Sequence, residues 1–154
     1  MKRPTLSRCV KSGLFALAGL VLAASASAIE YRSVATPVAV FYDTPSAQGK
    51  KLFLVKESTP LEVLVKVEGW TKVRDAEGTM AWIENKALST RRTVVVTATR
   101  ADVKKSASND APLVFQAEKW VALELVESGM TGWAKVKHKD GASGYVRLTQ
   151  IWGL

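Results

Sequence analysis

Two stretches decide the fold of this chain: Gly69-Trp70-Thr71-Lys72-Val73-Arg74 and, 63 positions later, Gly132-Trp133-Ala134-Lys135-Val136-Lys137. The echo continues at the same offset, with Gly78 matching Gly141, Trp82 matching Tyr145 and Ile83 matching Val146. Recurrence at fixed spacing means that one supersecondary unit is written twice. The offset is half the length of residues 29–154, which therefore divide into tandem units 29–89 and 90–154, meeting near Ser89-Thr90-Arg91-Arg92. Upstream of the shared cores agreement is loose, and the loop between Val126 and Trp133 is longer than the one between Val67 and Trp70.

Working outward, local patterns are those of strands. Leu61, Val63, Val65 and Val67 alternate with Glu62, Leu64, Lys66 and Glu68, a period of two with one lapse. Residues 34–41, 52–55, 94–97, 113–115 and 121–126 are β-branched or aromatic runs of strand length. Turn signals separate them: Thr44-Pro45-Ser46, Gln48-Gly49, Ala76-Glu77-Gly78, Asn109-Asp110-Ala111-Pro112 and, the best hairpin turn, Lys139-Asp140-Gly141. No amphipathic helical stretch follows residue 28, so the fold is expected to be all-β, a pair of small barrels. A unit of about 60 residues buries only about 60% of its chain surface, near the lower limit for folding alone. Packing of the two units against each other is therefore expected.

The N-terminal 28 residues read as a cleavable signal peptide. Lys2, Arg3, Arg8 and Lys11 precede an apolar run from Gly13 to Ala24, and Ala26-Ser27-Ala28 supplies the small-x-small cleavage site at Ala26 and Ala28. The run is shorter than the roughly 20 residues that span a bilayer, so the mature form is expected to carry no membrane anchor and to be periplasmic or secreted. Cys9, the sole cysteine, lies before the run, where a lipoprotein's would follow it, and cleavage removes it. No disulfide or thiolate metal site is then expected, and stability must come from packing. Four of the 22 basic residues leave with the signal, taking the net charge from +8 to +4. Residues 29–89 balance eight basic against eight acidic side chains, and 90–154 hold ten against six. Such a surplus suits an anionic envelope surface and falls far short of a nucleic-acid footprint.

The order apolar strand, Gly-Trp-x-Lys-Val-Arg, acidic-Gly turn, Gly/Ala-Trp/Tyr-Ile/Val resembles the bacterial Src-homology-3-like (SH3-like) domain, a small five-stranded barrel. The matching residues are Gly69, Trp70, Lys72, Val73, Arg74, Gly78, Ala81, Trp82 and Ile83, then Gly132, Trp133, Lys135, Val136, Lys137, Gly141, Gly144, Tyr145 and Val146. Ala81 stands where the family usually has glycine, Phe41-Tyr42-Asp43-Thr44-Pro45-Ser46 matches the entry segment only in part, and Ala98 to Asp102 lacks its Pro-Ser. The resemblance implies two tandem recognition modules whose ligand is cell-wall peptidoglycan or a partner peptide.

Alternation across a strand puts Trp70, Lys72 and Arg74 on one face, opposite Thr71 and Val73, and does the same for Trp133, Lys135 and Lys137. A tryptophan grouped with two cations is expected to be exposed or half-exposed, because charged side chains are almost never buried unpaired. The ring offers rigid contact area and the cations pair with carboxylates of a peptide or sugar-peptide ligand. The alternative is a rim-covering tryptophan between solvated lysines. Tyr42 and Phe41 stand where a first long loop begins, positioned to flank a groove with one ring packing inward. Trp82 and Tyr145 are expected to be half-buried, with their face left open, and Trp152 to pin the chain end or meet the other unit.

Catalytic chemistry finds no footing. His138, in Lys137-His138-Lys139-Asp140, is the only histidine, and triads and zinc sites need partners converging on one. Asp75 and Glu77 flank a turn in a charged setting, and no Gly-rich phosphate loop exists. The expectation is a non-enzymatic protein without metal or cofactor that recognises peptidoglycan or an envelope protein or peptide. The alternative is a structural or assembly subunit acting through Trp120, Trp152 and the basic surplus of the second unit.

Overall fold

A computed structural model describes residues 28–129 and 131–154, so the signal-peptide reading lies, but for Ala28, outside the described residues. The first unit runs β1 (Tyr31–Val34), β2 (Val38–Tyr42), β3 (Lys51–Lys56), β4 (Pro60–Val67), β5 (Trp70–Arg74), β6 (Met80–Glu84) and β7 (Leu88–Ser89). The second runs β8 (Thr93–Val96), β9 (Arg100–Lys104), β10 (Leu113–Glu118), β11 (Ala122–Ser128), β12 (Trp133–Lys137), β13 (Ser143–Arg147) and β14 (Ile151–Trp152). Sheet order is β3-β2-β6-β5-β4-β1-β7 in one and β10-β9-β13-β12-β11-β8-β14 in the other, the same path walked twice. The fold is all-β, and each antiparallel sheet holds seven strands rather than five, because β1 with the two-residue β7, and β8 with β14, extend one end.

Local chemistry explains where the sequence pattern breaks. The apolar run 34–41 is not one strand: it stops at Val34 and resumes at Val38, on either side of Pro37, which has no N–H to give a ladder. In β4 the alternation fails because the register shifts between Val63 and Val65, after which the strand stays paired to β5 and Val65 and Val67 stand exposed. Both Gly-Trp hairpins turn on a left-handed glycine, Gly69 at φ 76° and Gly132 at φ 82°, which a side chain would strain.

Each sheet wraps its own core. Val34, Phe41, Leu61, Val73 and Ile83 fill the first, and Val94, Val103, Leu123, Val136 and Val146 the second. Ile83 and Val146 point inward, so the open question about Trp82 and Tyr145 resolves: both face outward and are half-buried.

The units are joined by Thr90-Arg91-Arg92 and packed against each other. Ser33 Oγ donates to the Arg91 carbonyl at 2.8 Å, and Arg91 Nη2 donates to Ser58 Oγ at 3.0 Å. Tyr31 meets Trp152 edge-on with ring centroids 5.2 Å apart, while Arg92 lies 5.4 Å from the Tyr31 centroid and donates to the Gly153 carbonyl at 3.0 Å. Trp152 thus pins the chain end and contacts the other unit together. Burial at this seam, with the nearby Glu62 charge, pushes the Tyr31 hydroxyl pKa above its ordinary value.

Candidate functional site

In the first unit β5 turns Trp70, Lys72 and Arg74 outward and buries Thr71 and Val73, as the alternation requires. Antiparallel register sets Trp82 of β6 opposite Lys72, Glu84 opposite Trp70, and Tyr42 of β2 opposite Trp82. Tyr42 and Trp70 close the corner, meeting edge-on with centroids 5.2 Å apart at 88°. Tyr42, expected to flank a groove while Phe41 packs inward, is itself buried at 8% exposure and packs against Trp70, so the rings that border Lys72 on this face are the half-buried Trp70 and Trp82. The corner is held from below: Thr71 Oγ1 donates to Asn85 Oδ1 at 2.6 Å. Glu84 is already engaged by Lys86 at 2.5 Å, an ion pair that raises the Lys86 pKa.

Arg74 does not join this group in the expected role. Its guanidinium forks onto Glu62, Nε donating to Oε2 at 2.9 Å and Nη2 to Oε1 at 2.8 Å. Glu62 is buried, so the pair completes the sheet and the arginine charge is neutralised. Lys72, by contrast, forms no ion pair among the described residues, and it is the cation this face presents.

The second unit carries the same scaffold and a different surface. Trp133 is 8% exposed, not the half-exposed ring expected, because Arg147 of β13 lies over it at 4.8 Å from the centroid and also donates to Asn109 Oδ1. Lys135 sits 6.0 Å above the Tyr145 ring. The strand neighbour of Tyr145 on β9 is Lys104, where the first unit has Tyr42. Lys137 is exposed at the end of β12, across from Glu124. The open aromatic corner is absent here, replaced by an arginine-covered tryptophan between lysines. His138 packs on Phe115, with ring centroids 5.9 Å apart, and lies 3.0 Å from Asp140 Oδ2. The Ala142 N–H, with His138, holds the Asp140 pKa below its ordinary value.

Arg147 and Glu84, which decide the difference between the faces, were missed by pattern reading. Aligning the two units at the 63-residue offset exposes them, since Glu84 and Arg147 are the same position with opposite charge.

Comparison with known proteins fits this geometry. The model of the bacterial SH3 domain matches residues 35–90 and again 98–153, well over half of the chain. The chain belongs to the bacterial SH3 domain family. Among solved structures, this SH3 pair is similar to NlpC2 from Trichomonas vaginalis, at 14% identity and TM-score 0.38, over 81% of this chain and 48% of that one. NlpC1 from the same organism gives 16% and 0.37 over 86% and 49%. An NlpC/P60 family protein from Bacillus cereus gives 14% and 0.38 over 80% and 56%. The chain thus spans about half the length of these structures. No curated protein matches it.

Proposed function

We propose that this is an exported, non-catalytic binding protein of the cell envelope whose first SH3 module recognises peptidoglycan. The observation that carries the proposal is the pair of half-buried rings, Trp70 backed by Tyr42 and Trp82 of the next strand, bordering an unpaired Lys72. Rigid rings give contact area at little entropic cost, and a lone ammonium selects a carboxylate, the pairing that a sugar-peptide polymer offers. Membership of a family whose domains commonly serve as wall-binding modules supports the same reading. The second module contributes cations, Lys135, Lys137 and Lys104, and little accessible ring.

Purified cell-wall sacculi test it directly. The native protein is expected to co-sediment with sacculi, Trp70→Ala to lose at least about tenfold in affinity, the equivalent of about 1.4 kcal/mol, and Lys135→Glu to lose less. Trp133→Ala is a poor probe, since it opens a cavity beneath Arg147. Failure of the native protein to co-sediment would sink the wall ligand and leave an envelope protein or peptide as partner. The assembly-subunit reading has lost one of its supports, because Trp152 is engaged within the chain by Tyr31.

A further inference from the structure

A groove follows β3 where the two modules meet. Phe53 and Leu54 line it from β3, Trp120 and Val95 from the second module, and Asp75 and Glu77 from the turn between β5 and β6. It shares no residue with the aromatic corner around Lys72.

Three observations bear on what the groove takes. First, β3 ends its sheet order, so no strand is hydrogen-bonded to its outer side among the described residues. Open edges template pairing and are normally blunted by charge, proline or a covering loop. The centre of β3 instead shows Phe53 at 57% and Leu54 at 73% exposure, with lysines only at its two ends.

Second, Trp120 is held at φ 69°. The other non-glycine residue at positive φ among those described is Ser58, at 64°, in the matching turn of the first module. A left-handed backbone crowds Cβ against carbonyl oxygen, and a bulky residue there is an outlier. The first module makes this turn with serine, so the turn itself has no need of an indole. Nor does burial compensate, since Trp120 is 46% exposed and Lys119 Nζ steadies its ring at 4.7 Å from the centroid. Strain kept at an exposed aromatic points to use.

Third, the ionisable groups lining the groove are Asp75 and Glu77 against Lys56 alone, an acidic balance.

We infer that the groove takes an extended segment of a partner protein, which adds to β3 as a further strand. One apolar side chain of the segment lies between Leu54 and Trp120, and a basic neighbour faces Asp75 and Glu77. Strand addition supplies main-chain hydrogen bonds for affinity and alternate side chains for selection.

The probe is the peptide acetyl-Lys-Leu-Lys-Phe-Lys-Leu-Lys-amide, titrated into the purified protein by calorimetry and by hydrogen exchange. Saturable binding and slowed exchange at the β3 amides are expected. A version with glutamate in place of every lysine is expected to bind at least about tenfold more weakly. Trp120→Gly removes the ring while glycine takes the positive φ without strain, so the variant stays folded, retains sacculus binding, and loses at least about tenfold in peptide affinity. Should that variant misfold, Leu54→Thr, at an exposed strand position, decides the same question. Unchanged β3 exchange, native affinity in the variant, or equal binding of the lysine and glutamate peptides would overturn the inference. So would β3 protection that rises with protein concentration and a doubled mass without peptide, which assigns the groove to a second copy.

Discussion

Glu30 shows how much of a residue's role depends on pairing that a linear pattern hides. Its carboxylate accepts from Lys66 Nζ at 2.6 and 2.8 Å and from Arg32 Nε at 2.8 Å, and these partners, Lys66 first, hold its pKa below the ordinary value of 4.5. A carboxylate with a lowered folded pKa contributes stability that is present above its unfolded value and is lost as pH falls through the folded one. Glu30→Gln is therefore expected to destabilise by about 0.5 kcal/mol at neutral pH, a figure set by the exposure of the site. The gap should close in acid and shrink in high salt. Urea denaturation across pH, with and without added salt, checks this. Much the same holds for the binding face. That Trp70, Lys72 and Arg74 share a side was legible from alternation alone. That Glu62 neutralises Arg74 and that Arg147 covers Trp133 was not, because each depends on which residue of the neighbouring strand stands opposite.

At the scale of elements, the strands and turns that carry the repeat could be read, and the departures have physical causes. Pro37 splits one apolar run, and the register shift between Val63 and Val65 leaves Val65 and Val67 exposed at the end of β4. The Ala81 and Gly144 pair, a departure from the family pattern in the sequence, becomes a statement about packing. A Cβ on Gly144 would stand 2.5 Å from the Lys104 carbonyl oxygen and 2.8 Å from Val103 Cγ1, so β13 crosses β9 too closely for a side chain. The first module accommodates Ala81 at the matching position with the methyl group buried in its core. Gly144→Ala is expected to cost about 1–3 kcal/mol through displaced backbone, and Ala81→Gly about 1 kcal/mol, through chain entropy and a lost core contact. Two denaturation curves decide whether one position plays different parts in the two modules.

For the whole molecule, the question is whether two modules near the lower size limit fold as one. The seam is built from residues that lie outside the repeated motif: Tyr31 at the start of the first module, Arg92 in the link, and Trp152 and Gly153 at the end of the second. Gly153 is in close contact range of Pro60, where a Cβ would come within 3.0 Å of the proline ring. Trp152 could be singled out in the sequence as a residue that pins the end or meets the other unit, but its partners could not, because Tyr31 and Arg92 lie outside the repeated motif and only the docked geometry brings them to it. If the seam couples them, the native chain melts in a single cooperative transition. Tyr31→Ala and Trp152→Ala each lower Tm, and the double variant loses less than the sum. The edge-on ring pair is expected to give a coupling energy of about 0.5–1.5 kcal/mol. Calorimetry resolving two independent transitions in the native chain, or strictly additive losses in the cycle, would mean that the modules are merely tethered. The strand-edge groove would then lose its fixed far wall, because Trp120 is set against Phe53 and Leu54 only while the second module stays docked. Weakened peptide binding in Tyr31→Ala, whose side chain does not line the groove, is the expected sign that docking and recognition are linked.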